Sequence, residues 1–300
     1  MLRARPAIAL ACGALLASAC GGGATRGDER LEVVAAFYPI AEAARQAGGD
    51  AVTVHDLTPA GVEPHDLELR PSDVGRLRSA ALILYLGGGF QPALEDAIDA
   101  LPSGRAAVDL LDGIALRKGE EGEPTDPHVW LDPLLMTQIV ERITEEMVRL
   151  SPGLRDGFEA SARTYTQALA ELHGAFEATL RTCTRRELVT SHAAFGYLAA
   201  RYGLEQIPIS GVTPEAEPSP QRLREVAELA EDRGVTTIFF ETLVDPRVAQ
   251  SVARIVGART AVLNPIEGLT AAQRSAGETY VTQMRANLAA LAEGLGCRVS

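Results

Sequence analysis

The sequence predicts an α/β fold of two Rossmann-like lobes, each with a parallel sheet, joined by a long rigid connecting helix. Short apolar runs alternate with amphipathic segments along most of the 300 residues, which is typical of strands covered by helices. Midway, the segment 154–182 keeps helical spacing of its apolar residues and would be about 40 Å long. The alternation then resumes. We therefore expect an N-terminal lobe at 31–153 and a C-terminal lobe at 183–300, with little hinge motion because a continuous helix resists bending.

The N-terminal lobe contains four apolar runs that we interpret as strands, at 31–38, 52–57, 81–86 and 106–111. Its helices are expected at 39–48, 72–79 and 133–150. Ser72 is expected to cap the second of these helices. Asp132 and Pro133 favour the start of the third, because a capping side chain followed by proline is typical of helix N-termini.

The C-terminal lobe repeats this scheme. Its predicted strands are 187–191, 207–209, 236–240 and 260–263. Its predicted helices are 193–202, 220–234, 246–257 and a final amphipathic helix at 275–295. The second and third of these helices begin at Ser219-Pro220 and Asp245-Pro246, which again combine a capping residue with proline.

The N-terminus has the features of an export signal. Two arginines precede an apolar run at 7–17 that is too short to span a bilayer, and small residues follow it up to Cys20. We therefore expect a signal peptide at 1–19. The run 16–20 also resembles a bacterial lipobox, so Cys20 is predicted to carry a lipid and 20–30 to be a flexible, lipid-anchored stalk. The alternative is a plain signal peptide in which this cysteine is incidental.

Export also bears on the remaining cysteines. Cys12 lies in the predicted signal peptide, which leaves Cys183 and Cys297 besides the predicted lipid-bearing residue. In an oxidising compartment we expect these two to form a disulfide that closes most of the C-terminal half. The alternative is a pair of unpaired structural thiols.

Composition and charge exclude one class of partner. The chain is 46% hydrophobic and 23% charged, which is ordinary for a soluble globular protein. Its net charge of −12 argues against nucleic acid, for which a basic face would be expected. Beyond the signal peptide we find no apolar stretch long enough for a membrane-spanning helix, so the mature protein is expected to be held at the membrane by lipid alone.

Four potential metal ligands lie near the ends of predicted strands. His65 follows the second strand, His128 lies on a link between two Asp-Pro pairs, His192 directly follows the first strand of the second lobe, and Glu267 follows its last strand. Ligands bind outside the carboxyl ends of parallel strands, so we expect the four to converge, two from each lobe. Three imidazoles and one carboxylate make a four-coordinate shell that suits Zn²⁺.

The fourth ligand has alternatives, since water, Glu63 or Glu241 could take the place of Glu267. A structural role for Glu241 at its strand end is equally compatible with the sequence. His55 and His173, which lie in a strand and on the long helix, are given no metal role.

The segments around the histidines resemble motifs of one family. Residues 61–68 (GVEPHDLE), with 70–73 behind them, are similar to the first ligand loop of the metal-binding ABC-transporter receptors, the cluster A-I or ZnuA/TroA-like solute-binding proteins. Residues 126–133 (DPHVWLDP) resemble their second ligand motif, and 190–198 (TSHAAFGYL) the third. The resemblance runs from about residue 31 to the C-terminus, and three motifs in order behind a lipobox are more specific than any one alone.

This resemblance implies a zinc or manganese receptor with two α/β lobes joined by a long rigid helix. Such a receptor delivers its ion to a membrane permease that a cytoplasmic ATPase drives. Carried onto this chain, the resemblance makes His65, His128 and His192 ligands. Manganese members tend to carry a carboxylate at the position of His192, so this histidine favours zinc over manganese or iron.

The chain departs from many members in two respects. Its segment 117–126 is mostly acidic and lacks the His-rich insertion that many zinc members carry before the second motif. The carboxylate ligand of many members falls where this chain has Asn264, whereas Glu267 matches the variant in which a Glu of an Asn-Pro-x-Glu segment completes the shell.

A metal-dependent hydrolase and a structural or adhesin lipoprotein are the two alternatives to a metal receptor. A metal-dependent hydrolase would need an open coordination position and a general base, and neither a His-Glu-x-x-His helix nor a serine nucleophile elbow is found. In a lipoprotein with an adhesin or structural role, the same metal would only stabilise the fold. We expect a non-enzymatic, monomeric receptor anchored by lipid on the extracytoplasmic face of the cytoplasmic membrane, with permease and ATPase subunits as partners.

Overall fold

The computed structural model describes Met1 and residues 30–119, 125–214 and 217–298. It contains two α/β lobes with parallel sheets and a long helix that links them, as the sequence predicted. The predicted signal peptide beyond Met1, the predicted lipid-bearing Cys20 and the stalk up to residue 29 lie outside the described residues.

Four strands build the N-terminal sheet, namely β1 (Leu31–Ala35), β2 (Val52–Asp56), β3 (Leu82–Tyr85) and β4 (Ala107–Asp109). They are parallel and lie in the order β2-β1-β3-β4. The helices of this lobe are α1 (Tyr38–Gly48), α2 (Pro71–Ser79), α3 (Pro92–Asp99) and α4 (Pro133–Leu150). Residues 33–35 and 82–84 are buried throughout, as expected for central parallel strands that are covered on both faces.

The connecting helix, α5, extends over Arg155–Leu180. Its 26 residues make it about 39 Å long. One stripe is buried at helical spacing and consists of Phe158, Ala162, Tyr165, Leu169, Leu172, Phe176 and Leu180. This stripe packs on α1 and α4, so the helix forms part of the N-terminal core.

The C-terminal sheet contains β5 (Glu187–Thr190), β6 (Glu205–Pro208), β7 (Thr237–Phe240) and β8 (Arg259–Val262). Its strands are parallel in the order β6-β5-β7-β8, the same topology as in the first lobe. Its helices are α6 (Gly196–Tyr202), α7 (Pro220–Asp232), α8 (Arg247–Val256), α9 (Ala271–Ser275) and α10 (Tyr280–Gly294).

The two lobes are tied together at several points. Helix α10 packs against α5, and the Tyr280 hydroxyl donates a hydrogen bond to the Trp130 carbonyl at 2.5 Å. Arg201 of the second lobe pairs with Asp132 of the first at 2.7 Å. The predicted disulfide between Cys183 and Cys297 is present and joins the segments that follow α5 and α10.

Two local predictions were wrong, and one helix was not predicted. The final helix is not continuous over 275–295, because Gly277 adopts a positive φ of 73° and Thr279 caps a new helix through its contact with the Thr282 N–H. Ser72 is not a helix cap, since α2 already begins at Pro71. The short helix α3 was not predicted; it has only eight residues, of which only Leu94 is buried.

Within the described ranges, we find no helix that is both long and apolar enough to cross a membrane.

Candidate metal centre

Four side chains converge between the lobes, and they are the four predicted ligands. One ligand atom from each of His65, His128, His192 and Glu267 lies within 4.8 Å of all the others. The Glu267 Oε1 atom is 3.1 Å from His128 Nε2, 3.4 Å from His192 Nε2 and 3.6 Å from His65 Nε2. The Nε2 atoms of His128 and His192 are 3.3 Å apart. One carboxylate oxygen therefore lies beside three imidazole nitrogens.

A tight turn holds His65 beyond the end of β2. Pro64 opens the 3₁₀ turn Pro64–Asp66, and a Glu63 carboxylate oxygen accepts a hydrogen bond from the His65 N–H at 3.4 Å. The buried Gln91 side chain donates to the Pro64 carbonyl at 3.0 Å. The His65 ring packs edge-on against Phe90, with ring centroids 4.7 Å apart. The loop geometry thus fixes the direction of this imidazole.

The Asp-Pro-bracketed link holds His128 in the first lobe. A single carboxylate oxygen of Asp126 accepts hydrogen bonds from the His128 backbone N–H at 2.9 Å and from Nδ1 at 2.8 Å. Trp130 packs beside the imidazole with ring centroids 5.1 Å apart. Asp132 caps α4 by accepting from the Leu134 N–H at 2.9 Å, as predicted. Two aspartates therefore fix the segment on either side of the histidine.

The close approach of Asp126 to the second lobe requires a glycine. A Cβ atom on Gly196 would lie 2.8 Å from Asp126 Oδ2, closer than real contacts allow. The neighbouring Tyr197 hydroxyl donates to the Asp126 carbonyl at 2.8 Å. The 190–198 segment thus has a second role, because it packs against Asp126, the residue that orients His128.

His192 and Glu267 follow strands of the second lobe. The His192 Nδ1 atom is 2.6 Å from Glu241 Oε1, at the end of the neighbouring strand β7. Gln206 donates to the His192 carbonyl at 3.0 Å. Glu267 lies in the loop after β8, directly behind Ile266, which has a φ of 59°. Both His192 and Glu267 are buried.

The hydrogen-bond pattern leaves ligand atoms facing one another. When Nδ1 of His128 and His192 donates to its carboxylate partner, each Nε2 presents a lone pair inward, which is the usual arrangement of metal-bound histidines. The buried His65 Nε2 and Glu267 Oε2 atoms have no hydrogen-bond partner. Buried polar atoms are normally paired, so this residue set fits a cation that would satisfy the inward-facing atoms together.

The electrostatics of the site also favour positive charge. Burial lowers the pKa of His65. Burial acts in the same direction on His128, but its hydrogen bonds to Asp126 and Glu267 outweigh that effect and raise the pKa. Burial tends to raise the pKa of Glu267, yet the three histidines hold it well below its usual range. The carboxylates thus stabilise positive charge in the site, and a divalent ion would displace protons from it.

The predicted alternatives for the fourth ligand take other positions. Glu241 contacts His192 from the outer side of the ring, and Glu63 contacts the backbone of the His65 turn. His55 pairs with Glu32 on the neighbouring strand at 2.8 Å. His173 on α5 contacts the Tyr202 hydroxyl at 3.1 Å. Neither of these two histidines belongs to the cluster.

The role of Asp126 was not predicted from the sequence, in which this residue was interpreted only as part of an Asp-Pro break. Its position two residues before His128 could have suggested the contact, because an aspartate side chain readily bonds the backbone N–H two residues on. Asn264 and Asn287, which hold the loop of Glu267, were also missed. They are separated by 23 residues, and no local pattern links them.

Comparison with known proteins identifies one family. The family model described as "Zinc-uptake complex component A periplasmic" matches residues 33–294. The high-affinity zinc uptake system protein ZnuA of Bacillus subtilis (strain 168) is 35% identical over 300 residues, which cover 94% of this chain and 94% of that protein.

Solved structures show the same likeness. The Zn(II)-bound ZnuA-like domain of Streptococcus pneumoniae AdcA has a TM-score of 0.78 and 34% identity, and covers 89% of this chain and 99% of that chain. The chain spans 59% of the whole AdcA lipoprotein of Streptococcus pneumoniae (strain R6). Lmb of Streptococcus agalactiae, described as an adhesin with metal-transporting activity, has a TM-score of 0.81 and 29% identity, with 89% of this chain and 100% of that chain covered.

Proposed function

The chain belongs to the ZnuA family of zinc-uptake components, and from that premise we propose that it is the extracytoplasmic zinc-binding component of an ABC importer. It binds one Zn²⁺ between its lobes through His65, His128, His192 and Glu267, and delivers the ion to a membrane permease. The observation that carries this proposal is the convergence of four ligand atoms within 4.8 Å of one another, two from each lobe.

Zinc suits the donor set better than manganese or iron. Three imidazole nitrogens and one carboxylate oxygen are typical of zinc sites, whereas manganese prefers oxygen-rich shells. The carboxylates of Asp126 and Glu241 support this preference, because a carboxylate on Nδ1 makes the other imidazole nitrogen a better ligand.

A binding role fits the site better than catalysis. Catalytic zinc keeps one coordination position for water, whereas four protein ligands fill the tetrahedral shell of a zinc ion. We therefore propose a monomeric receptor that is not an enzyme, works with permease and ATPase subunits, and is anchored by a lipid on Cys20 at the outer face of the cytoplasmic membrane.

The site is tested by zinc titration of the mature protein in competition with a chromogenic chelator. One Zn²⁺ should bind per chain, and His128→Ala should weaken binding by more than about 100-fold, since even residues that only orient a ligand cost 10- to 100-fold. His173→Ala is the matched control, because that histidine lies on α5 outside the cluster, and it should bind like the wild type. Unchanged affinity in His128→Ala would refute the assignment.

Transport is tested by growth after deletion of the gene. Failure to grow in zinc-poor medium, with rescue by added zinc, supports uptake. The likeness to Lmb favours one second candidate, an adhesin in which the metal stabilises the fold. Normal growth of the deletion strain together with weakened adhesion would support that role instead.

A further inference from the structure

A cluster of buried amides lies behind the loop that carries Glu267. Asn264 follows β8, and Asn287 and Gln283 lie on α10; the side chains of all three are buried. The cluster lies outside the ring of ligand atoms. Buried amides are costly unless their donors and acceptors are paired, so their presence here calls for a physical reason.

The Asn287 side chain holds both backbone polar groups of Asn264. Its Oδ1 atom accepts from the Asn264 N–H at 2.8 Å, and its Nδ2 group donates to the Asn264 carbonyl at 2.6 Å. Strand β8 lies at the edge of its sheet and ends before Asn264. The two bonds from Asn287 therefore replace the backbone hydrogen bonds that a neighbouring strand would provide. The chain therefore leaves β8 in a direction that α10 determines.

The Asn264 side chain in turn fixes the position of the residues that follow it. Its Oδ1 atom accepts from the Ile266 N–H at 2.8 Å, and its Nδ2 group donates to Gln283 Oε1 at 2.9 Å. From the other lobe, Trp130 Nε1 donates to the Pro265 carbonyl at 2.7 Å. The loop is thus held on both sides directly before Glu267.

Ile266 explains why such firm support is needed. Among the described residues, it is the only one other than glycine with a positive φ, which is 59°. This conformation is unfavourable for a β-branched residue and persists only where the surrounding contacts impose it. Released from the amide cluster, the loop would relax toward ordinary backbone angles and move the Glu267 carboxylate.

We propose that Asn287 is a positioning residue for zinc binding: acting through Asn264, it holds Ile266 in its unfavourable conformation and so keeps Glu267 Oε1 beside the three imidazoles. This inference rests on the proposed function. Asn287 does not contact the ion, and its effect requires the Glu267 carboxylate. That requirement separates positioning from general support of the fold.

The test is a double-mutant cycle on zinc affinity in the mature protein, measured by chelator competition. Asn287→Ala should weaken zinc binding by about 10- to 100-fold, as for other residues that orient a ligand. In a Glu267→Ala background, where three histidines remain, the same substitution should change affinity by less than about threefold, because the positioned group is gone. An equal loss in both backgrounds would overturn the proposal.

Leu291→Ala is the matched control. Leu291 lies one turn further along α10 and is fully buried, so its truncation destabilises the same helix but removes none of the hydrogen bonds that hold the Asn264 loop. Thermal unfolding of the metal-free variants establishes that both are folded. We expect Leu291→Ala to keep wild-type zinc affinity, and a loss equal to that of Asn287→Ala would contradict positioning.

A spectroscopic measurement provides a second readout. With Co²⁺ in place of zinc, the visible absorption of the bound ion reports coordination geometry, so Asn287→Ala should alter the spectrum and Leu291→Ala should not. If Asn287→Ala does not fold, Asn287→Asp is used, which keeps the acceptor for the Asn264 N–H and loses the donor. A wild-type protein that binds no zinc would refute the proposed function, whereas wild-type affinity in Asn287→Ala refutes only this inference.

Discussion

Asp56 should make the stability of the metal-free protein depend on pH in a predictable direction. It ends β2, and its side chain is 6% exposed. One carboxylate oxygen accepts from the Thr58 N–H at 3.1 Å, and the other has no hydrogen-bond partner. Burial raises the pKa of Asp56 from its ordinary value of 3.8 to about 6, although Arg45 and Arg274 act in the opposite direction.

The size and sign of the effect follow from proton linkage. A pKa raised from 3.8 to about 6 corresponds to about 3 kcal/mol. Because the folded state holds this proton more tightly than the unfolded state, the contribution of Asp56 to stability is fully present below about pH 4 and is lost as pH rises through about 6. Asparagine cannot titrate. Asp56→Asn should therefore match the wild type near pH 4 and exceed it by about 3 kcal/mol at pH 7.5.

Urea unfolding of the metal-free proteins between pH 4 and 7.5 measures this difference. The control is Asp50→Asn, which makes the same substitution at an exposed carboxylate in the turn before β2 and so accounts for the loss of one surface charge. Parallel stability curves for Asp56→Asn and the wild type over this range would refute the reasoning, as would a variant whose stability falls relative to that of the wild type as pH rises.

Two further predictions concern zinc and the disulfide. Trp130 is the only tryptophan, and its ring centroid lies 5.1 Å from that of His128. Zinc binding should therefore change the tryptophan fluorescence, and the change should saturate at one equivalent of zinc. Constant emission while zinc binding is confirmed by another method would contradict the site. Replacing Cys183 and Cys297 by serine opens a link across 114 residues and should lower the free energy of unfolding by about 2–5 kcal/mol in urea titrations, with zinc stoichiometry unchanged. Equal stability of both forms would refute the second prediction.

The four proposed ligands could be predicted because local features of the sequence mark them. His192 directly follows the predicted strand β5, and His128 lies between two Asp-Pro pairs that no helix or strand could continue through. In parallel sheets the carboxyl ends of strands meet at one edge, so local signals of this kind become neighbours in space. The fold class followed from the same alternation of strands and helices.

The surroundings of the ligands could not be predicted in the same way. Glu241 reaches His192 because β7 pairs with β5, and the order of strands in a sheet is not visible in the sequence. Asn287 reaches Asn264 only after α10 has packed beside β8. The helix boundary at Gly277 failed for a different reason, since the alanine-rich residues before it are good helix formers but none of them is buried.

The 126–133 segment shows how one short stretch can serve both lobes. The Asp126 carbonyl accepts a hydrogen bond from the Tyr197 hydroxyl. The Trp130 side chain donates to the loop of Glu267, and the Trp130 carbonyl accepts from the Tyr280 hydroxyl. Each of these contacts crosses from the first lobe to the second. His128 is therefore positioned relative to the ligands of the opposite lobe by its own neighbours in sequence. The contacts that join the two lobes are thus the same contacts that set the spacing of the four ligand atoms.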